Sequence, residues 1–168
     1  MNILGLNYYH PDASAVLIKS GNIVAAVEEE RFVRIKHFSG FPHKSIDYCL
    51  KKGGINISDL DFVALNFKPN SNIKEKFLYS IRNLHKSATL KKIYNLKNKL
   101  KNKEDLKKYL DEGNFKGKIL NIDHHLSHLA SAYYLSNFEF SLGLTIDGFG
   151  DFCSMQSFLC NKNEIKPI

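Results

Sequence analysis

At 168 residues, with 43% hydrophobic and 24% charged residues, the chain has the size and composition of a folded domain with its own core. No run of 18 apolar residues occurs, which argues against a transmembrane helix, and no basic stretch precedes an apolar one at the N-terminus, so no signal peptide is expected. The net charge of +7 sits in one place: residues 71–112 hold 12 Lys and Arg against 5 Asp and Glu, while the rest of the chain has 12 of each.

Asn2–Tyr8, Ser14–Lys19 and Asn22–Glu29 read as three consecutive antiparallel strands, with Ser20-Gly21 as a tight hairpin turn. The loop Tyr8–Ser14 is stiffened by Pro11. It offers His10, Asp12 and Ser14 as ligand contacts, or else a turn in which Asp12 and Ser14 cap only local backbone. Residues 28–37 are densely charged and costly to bury unpaired. They form either a surface ion-pair strip or a lip presenting Arg34, Lys36 and His37 to an anion. His43–Lys52, with Ile46, Cys49 and Leu50 at helical spacing and Gly53-Gly54 behind them, predicts a helix packed on the sheet. Phe62–Phe67 is too short for a helix and reads as a fourth strand.

From Ser71 the basic segment places Phe77, Ile81, Leu84, Ile93, Leu96 and Leu100 at helical intervals, which predicts two or three helices. It lacks the glycines and interleaved aromatics of nucleic-acid modules. A solvated helical surface is therefore the expected reading, and nucleic acid is not an expected partner. Lys118–Ile122 resumes the sheet, and Asp123 is a good N-cap for the helix after it.

In that helix His124 and His128 are four apart, which puts their imidazoles on one face with roughly 5–6 Å between Cβ atoms, close enough to share a metal ion; His125 points elsewhere. Leu142–Ile146 reads as a strand ending in Asp147-Gly148-Phe149-Gly150-Asp151, whose glycines allow a tight turn and a phosphate-holding row of N–H groups. Asp147 is a candidate third ligand. Phe152–Leu159 reads as another strand, and Asn161–Asn163 turns toward a partial strand at Glu164. Two histidines at helical spacing and an Asp-Gly turn also arise without any metal. What favours the site is its placement, with the histidines just after one buried strand and the carboxylate at the end of another. Strand, glycine-containing acidic loop, strand and polar turn occur once from Asn2 and again from Leu142, as in a duplicated fold. Cys49, Cys153 and Cys160 are odd in number and lack CxxC spacing, which points to a reducing cytoplasm and packed thiols rather than disulfides.

Three motifs, LGLNYYHPDASAVLIKSGNIVAAVEEERFVRIKH-FSGFP, DHHLSHLASAYYLS and LTIDGFGD, come in an order and spacing that resemble the N-terminal part of the O-carbamoyltransferases of the nodulation-factor and antibiotic-biosynthesis type. The resemblance covers the chain except the basic segment. It implies an α/β fold: an actin-like, sugar-kinase-like (RNase H-like) lobe with a mixed five-stranded sheet and flanking helices over residues 1–136, a basic insertion at about 71–112, and the first strands of a second such lobe over 141–168. The rest of that lobe and a YrdC-like domain are expected to lie beyond this segment, which is then expected to be inactive alone. The implied reaction moves a carbamoyl group from carbamoyl-adenylate, made from carbamoyl phosphate and ATP, to a hydroxyl of a sugar-like acceptor. Through the motifs His124, His128 and Asp147 would hold an iron-type divalent metal. His10 and Lys36 would lie beside the carbamoyl group, and Asp12, Gly148 and Gly150 would bind cofactor. Asp151 departs from the family's more frequent Glu. A non-catalytic metal- or nucleotide-binding half-domain working with a partner chain is the alternative.

Overall fold

The structure, a computed structural model, describes residues 1–68, 104–150, 153–162 and 164–168, with backbone alone at 149 and 150. Most of the basic segment, and Asp151, lie outside the described residues. Among these residues the chain forms two compact units, one from Met1–Leu65 and 104–120, the other from 66–68 and Asn121–Ile168.

The first unit is built on a mixed sheet of order β3-β2-β1-β4-β5. Its strands are β1 (Asn2–Asn7), β2 (Ser14–Lys19), β3 (Asn22–Glu28), β4 (Phe62–Leu65) and β5 (Lys118–Asn121). β1 runs antiparallel to β2 and parallel to β4, and β2 runs antiparallel to β3. Ser20 and Gly21 both have positive φ, 50° and 83°, as a two-residue hairpin matched to strand twist requires. Period-two alternation turns Leu4, Leu6, Ala15, Leu17, Val63 and Leu65 inward. α1 (Glu30–Val33) is a single turn that the periodicity did not predict; α2 (His43–Gly53) is the expected helix. α2 buries Ile46, Cys49 and Leu50, and ends at Gly54 (φ 60°), whose N–H reaches the Leu50 and Lys51 carbonyls. Burial pushes the Cys49 thiol up to about 11, which leaves it inert. A helix at 104–112, α3, buries Leu106 and Leu110. Tyr109 on it donates to Asp47 of α2 at 2.8 Å.

The second unit packs α4 (His124–Tyr133) on an antiparallel meander of β6 (Phe140–Gly150), β7 (Cys153–Asn161) and β8 (Glu164–Pro167). α4 therefore groups with β6–β8 rather than with the sheet of the expected 1–136 lobe. Asp123 caps α4 by accepting from Leu126 N–H at 3.2 Å. Leu129, Tyr133, Phe158 and Cys160 make the core. β6 is longer than expected: strand structure continues through Gly150, with a shift of register between Ile146 and Gly150 in place of a simple turn. Its two faces differ. Phe140, Leu142, Leu144 and Ile146 all face outward, Ile146 at 75% exposure, with Met155 opposite Ile146 on β7. The other face carries Gly143, Thr145 and Asp147 toward α4.

Candidate functional site

The approach of α4 to β6 is set by Gly143, where a Cβ would lie 2.6 Å from Leu129 Cδ1. From that contact the helix runs along the strand in rungs: Leu129 on Gly143, His125 on Thr145, His124 on Asp147. The last rung is the candidate site. His124 Nε2 lies 2.6 Å from Asp147 Oδ2 and 3.1 Å from His128 Nε2. The three donor atoms all lie within 4.8 Å of one another, so the structure brings together the three residues expected to hold a metal. Protons alone serve this arrangement poorly. An imidazole nitrogen carries one proton or one lone pair. If His124 Nε2 donates to Asp147 it has no lone pair for His128; if it accepts from His128 it turns that lone pair on the carboxylate. A divalent cation among two imidazoles and a carboxylate satisfies all three, and that donor set suits borderline transition metals. The hydrogen bond from His124, and then the Gly148 N–H, hold the Asp147 carboxyl below its ordinary range.

His125 is the buried residue that spacing concealed. It is 1% exposed. Its Nε2 lies 3.0 Å from the Cys153 carbonyl, which can only accept, so Nε2 carries the proton. Its Nδ1 lies 2.8 Å from the Thr145 hydroxyl, which in turn donates to the Gln156 carbonyl on β7 at 3.2 Å. His125 thus ties the first turn of α4 to β6 and β7. The signal was available in the stripe His125, Leu129, Tyr133, which are spaced by four and all buried.

In the first unit the loop Tyr8–Ser14 lies along residues 38–40: Tyr9 N–H donates to the Gly40 carbonyl and Ala13 N–H to that of Phe38, both at 3.0 Å. His37 Nδ1 donates to Asp12 Oδ1 at 2.9 Å, and His37 N–H to Glu30 Oε2 at 3.1 Å. The bond and charge of Asp12 raise His37 above the ordinary imidazole range. His10 and Lys36 are exposed, one on each of these two segments. Tyr9, Asp12, Arg34 and His37 have φ of 54°, 62°, 60° and 53°, left-handed conformations that cost of order 1–3 kcal/mol each and cluster at functional sites.

The charged run 28–37 divides into parts. Arg31, itself exposed, pairs with Glu28 and with the partly buried Glu30. Glu29, by contrast, is 2% exposed and accepts from Lys44 N–H (3.1 Å), Ser45 N–H (2.7 Å) and Ser45 Oγ (2.7 Å). Those N–H groups belong to the first turn of α2, where a carboxylate is favoured. The expected phosphate cradle also differs: Gly148 N–H is turned to Asp147 Oδ1 at 2.6 Å, and Gly150 pairs with Cys153. An open groove of about 480 Å³ between α2 and α3, lined in part by Asp47, Lys51, Tyr109 and Glu112, includes none of the candidate site residues read from the sequence.

The family profile described as Carbamoyltransferase N-terminus matches residues 2–167. The chain is 38% identical to the nodulation protein NolNO of Sinorhizobium fredii over 96% of its own length and 23% of that protein. It is 37% identical to the uncharacterized protein sll1178 of Synechocystis sp., covering 99% of this chain and 28% of that one. The uncharacterized protein MJ1051 of Methanocaldococcus jannaschii is 33% identical, with 99% and 26% covered. The chain thus spans about a quarter of the length of these curated relatives. Among solved structures YeaZ from Pseudomonas aeruginosa superposes with a TM-score of 0.51 at 14% identity, over 99% of this chain and 64% of that one, which shows an actin-like fold. The chain belongs to the carbamoyltransferase N-terminus family.

Proposed function

We propose that this chain works as the N-terminal part of a carbamoyltransferase that moves a carbamoyl group from carbamoyl-adenylate, made from carbamoyl phosphate and ATP, to a hydroxyl of a sugar-like acceptor. The observation that carries the reading is the convergence of His124, His128 and Asp147 in a chain of this family. These three would hold a divalent metal, of iron type by the family resemblance. When bound it supplies positive charge for an oxygen that becomes anionic.

The remaining roles fall to His10, Lys36 and Asp12. The acceptor oxygen bonds to the carbamoyl carbon, the bond from that carbon to the adenylate phosphate breaks, and AMP leaves. His10 takes the hydroxyl proton, a role that suits an imidazole near neutrality. Lys36 places an ammonium near the carbonyl oxygen as it gains charge. Asp12 joins the two segments through His37, so its contribution to ligand binding is indirect.

A further segment of the same protein completes the enzyme in this reading. The outward apolar residues of β6 support it, since four alternating large hydrophobics on one strand face suit burial against another element. The test is AMP release from ATP and carbamoyl phosphate by the native gene product, with labelled carbamoyl followed into a panel of sugars. Loss of AMP release in Lys36→Met and of transfer in His10→Ala is expected. Full transfer by both variants overturns the roles, and the absence of any ATP-dependent carbamoyl transfer favours a non-catalytic binding module.

A further inference from the structure

The loop that carries His10 is held from an unexpected direction. Tyr9 donates its phenol to Asp105, 96 residues away on α3, and its own backbone is left-handed at φ 54°. A tyrosine stays in that conformation only where its surroundings over-determine it. Those surroundings are specific: Tyr9 N–H is bound to the Gly40 carbonyl, and its ring lies edge-on to Tyr8 with centroids 5.7 Å apart. Asp105 is a fixed point in turn. Its helix is seated by buried Leu106 and Leu110, by the Tyr109–Asp47 hydrogen bond, and by packing of the Tyr109 ring on Phe41 and His43, with centroids at 5.3 and 5.4 Å.

The loop is tied again just beyond His10. Asn7 Nδ2 donates to the Pro11 and Asp12 carbonyls at 3.0 Å, and His37 holds the Asp12 carboxylate. His10 therefore sits between two anchored points, and the first of them reaches α3. We propose that Tyr9 and Asp105 are a positioning pair for His10, through which α3, at the end of the basic segment 71–112, fixes the loop at the transfer site. The proposal rests on the reading of His10 given above. It makes the end of that segment a part of the site's scaffold, so that changes near Asp105 reach the His10 loop through the Tyr9 hydrogen bond.

Tyr9→Phe and Asp105→Asn each remove the bond with little change of shape. Amide hydrogen exchange at Tyr9, His10, Asp12 and Ala13 should quicken by about tenfold in each single variant, and no further in the double, as for the loss of one shared hydrogen bond. Exchange within α2 should stay unchanged. In the native gene product kcat for carbamoyl transfer should fall by about tenfold with KM for carbamoyl phosphate unaltered. Unchanged exchange in either single variant, or a double variant faster than both, overturns the pair. Faster exchange with an unaltered kcat makes it a structural contact and overturns the positioning role. If His10→Ala leaves transfer intact, the reading of His10 fails, while the exchange data still decide the pair. Should one variant not fold, the other carries the same test.

Discussion

His125 Nδ1 lies 2.8 Å from Thr145 Oγ1, the middle rung between a purely apolar contact, Leu129 on Gly143, and a purely polar one, His124 on Asp147. The packing of the helix and the geometry of the candidate metal site therefore meet in one buried hydrogen bond.

His125→Ala should consequently act on stability first. It removes two hydrogen bonds and leaves a cavity in a site that is 1% exposed, at a cost of about 3 kcal/mol, readable as a lower urea midpoint. Metal affinity, measured well below that midpoint, should fall by less than about tenfold, because the donor atoms remain. A loss of binding as large as that of His124→Ala would show that His125 is itself a ligand.

The three donor atoms make the opposite prediction for their own variants. His124→Ala, His128→Ala and Asp147→Ala should each weaken Co²⁺ binding by at least about 100-fold, more than residues that only support a ligand usually command, while the urea midpoint of the metal-free protein shifts little. Titration calorimetry on the four proteins separates the classes. In the parent, Co²⁺ at 100 times its Kd should stabilise the fold by roughly 2.7 kcal/mol, and removal by a chelator should reverse that shift.

Glu29 makes a third. Glu29→Ala strands three donors on α2 at a buried position, a loss of about 2–4 kcal/mol. Glu29→Gln keeps an acceptor and should cost about half as much. Denaturation in urea checks both, and equal stability of Glu29→Ala and the parent would show that the cap is not needed.

The His37–Asp12 pair fixes a pH dependence. With His37 raised in the folded state, its contribution is present in full below the ordinary imidazole value and is lost as pH rises through the folded value. Both side chains are largely exposed, so solvent and salt screen the pair and the stability change is small. The sharper readout is the His37 imidazole shift by NMR. Its midpoint should lie above the ordinary value of about 6.5 and fall in Asp12→Asn, which removes the largest cause of the rise.

The elements legible in the sequence are those set by local pattern. Short apolar runs between turn residues marked the strands, although β5, expected to be buried, is exposed; Ser20-Gly21 marked the hairpin, Gly54 ended α2 and Asp123 opened α4, because each signal lies within a few residues of its effect. His124, His128 and Asp147 were legible as a set because helical spacing and strand ends are also local. What escaped depends on partners far along the chain. Glu29 looked like one more surface charge because the N–H groups it caps belong to residues 44 and 45. Tyr9 gave no sign of a partner at 105. The extension of β6 to Gly150 escaped because Asp-Gly and Gly-Phe-Gly also suit a turn, and pairing with β7 decides between them.

Gly143 carries a consequence for how this protein can change. The spacing between helix and strand at that rung is set by the absence of a side chain, and the same spacing brings His124 to Asp147. Even a methyl group there would press on Leu129, and the helix could yield only by carrying the histidines away from the carboxylate. At this position the interior and the site make the same demand, and only a hydrogen atom meets it.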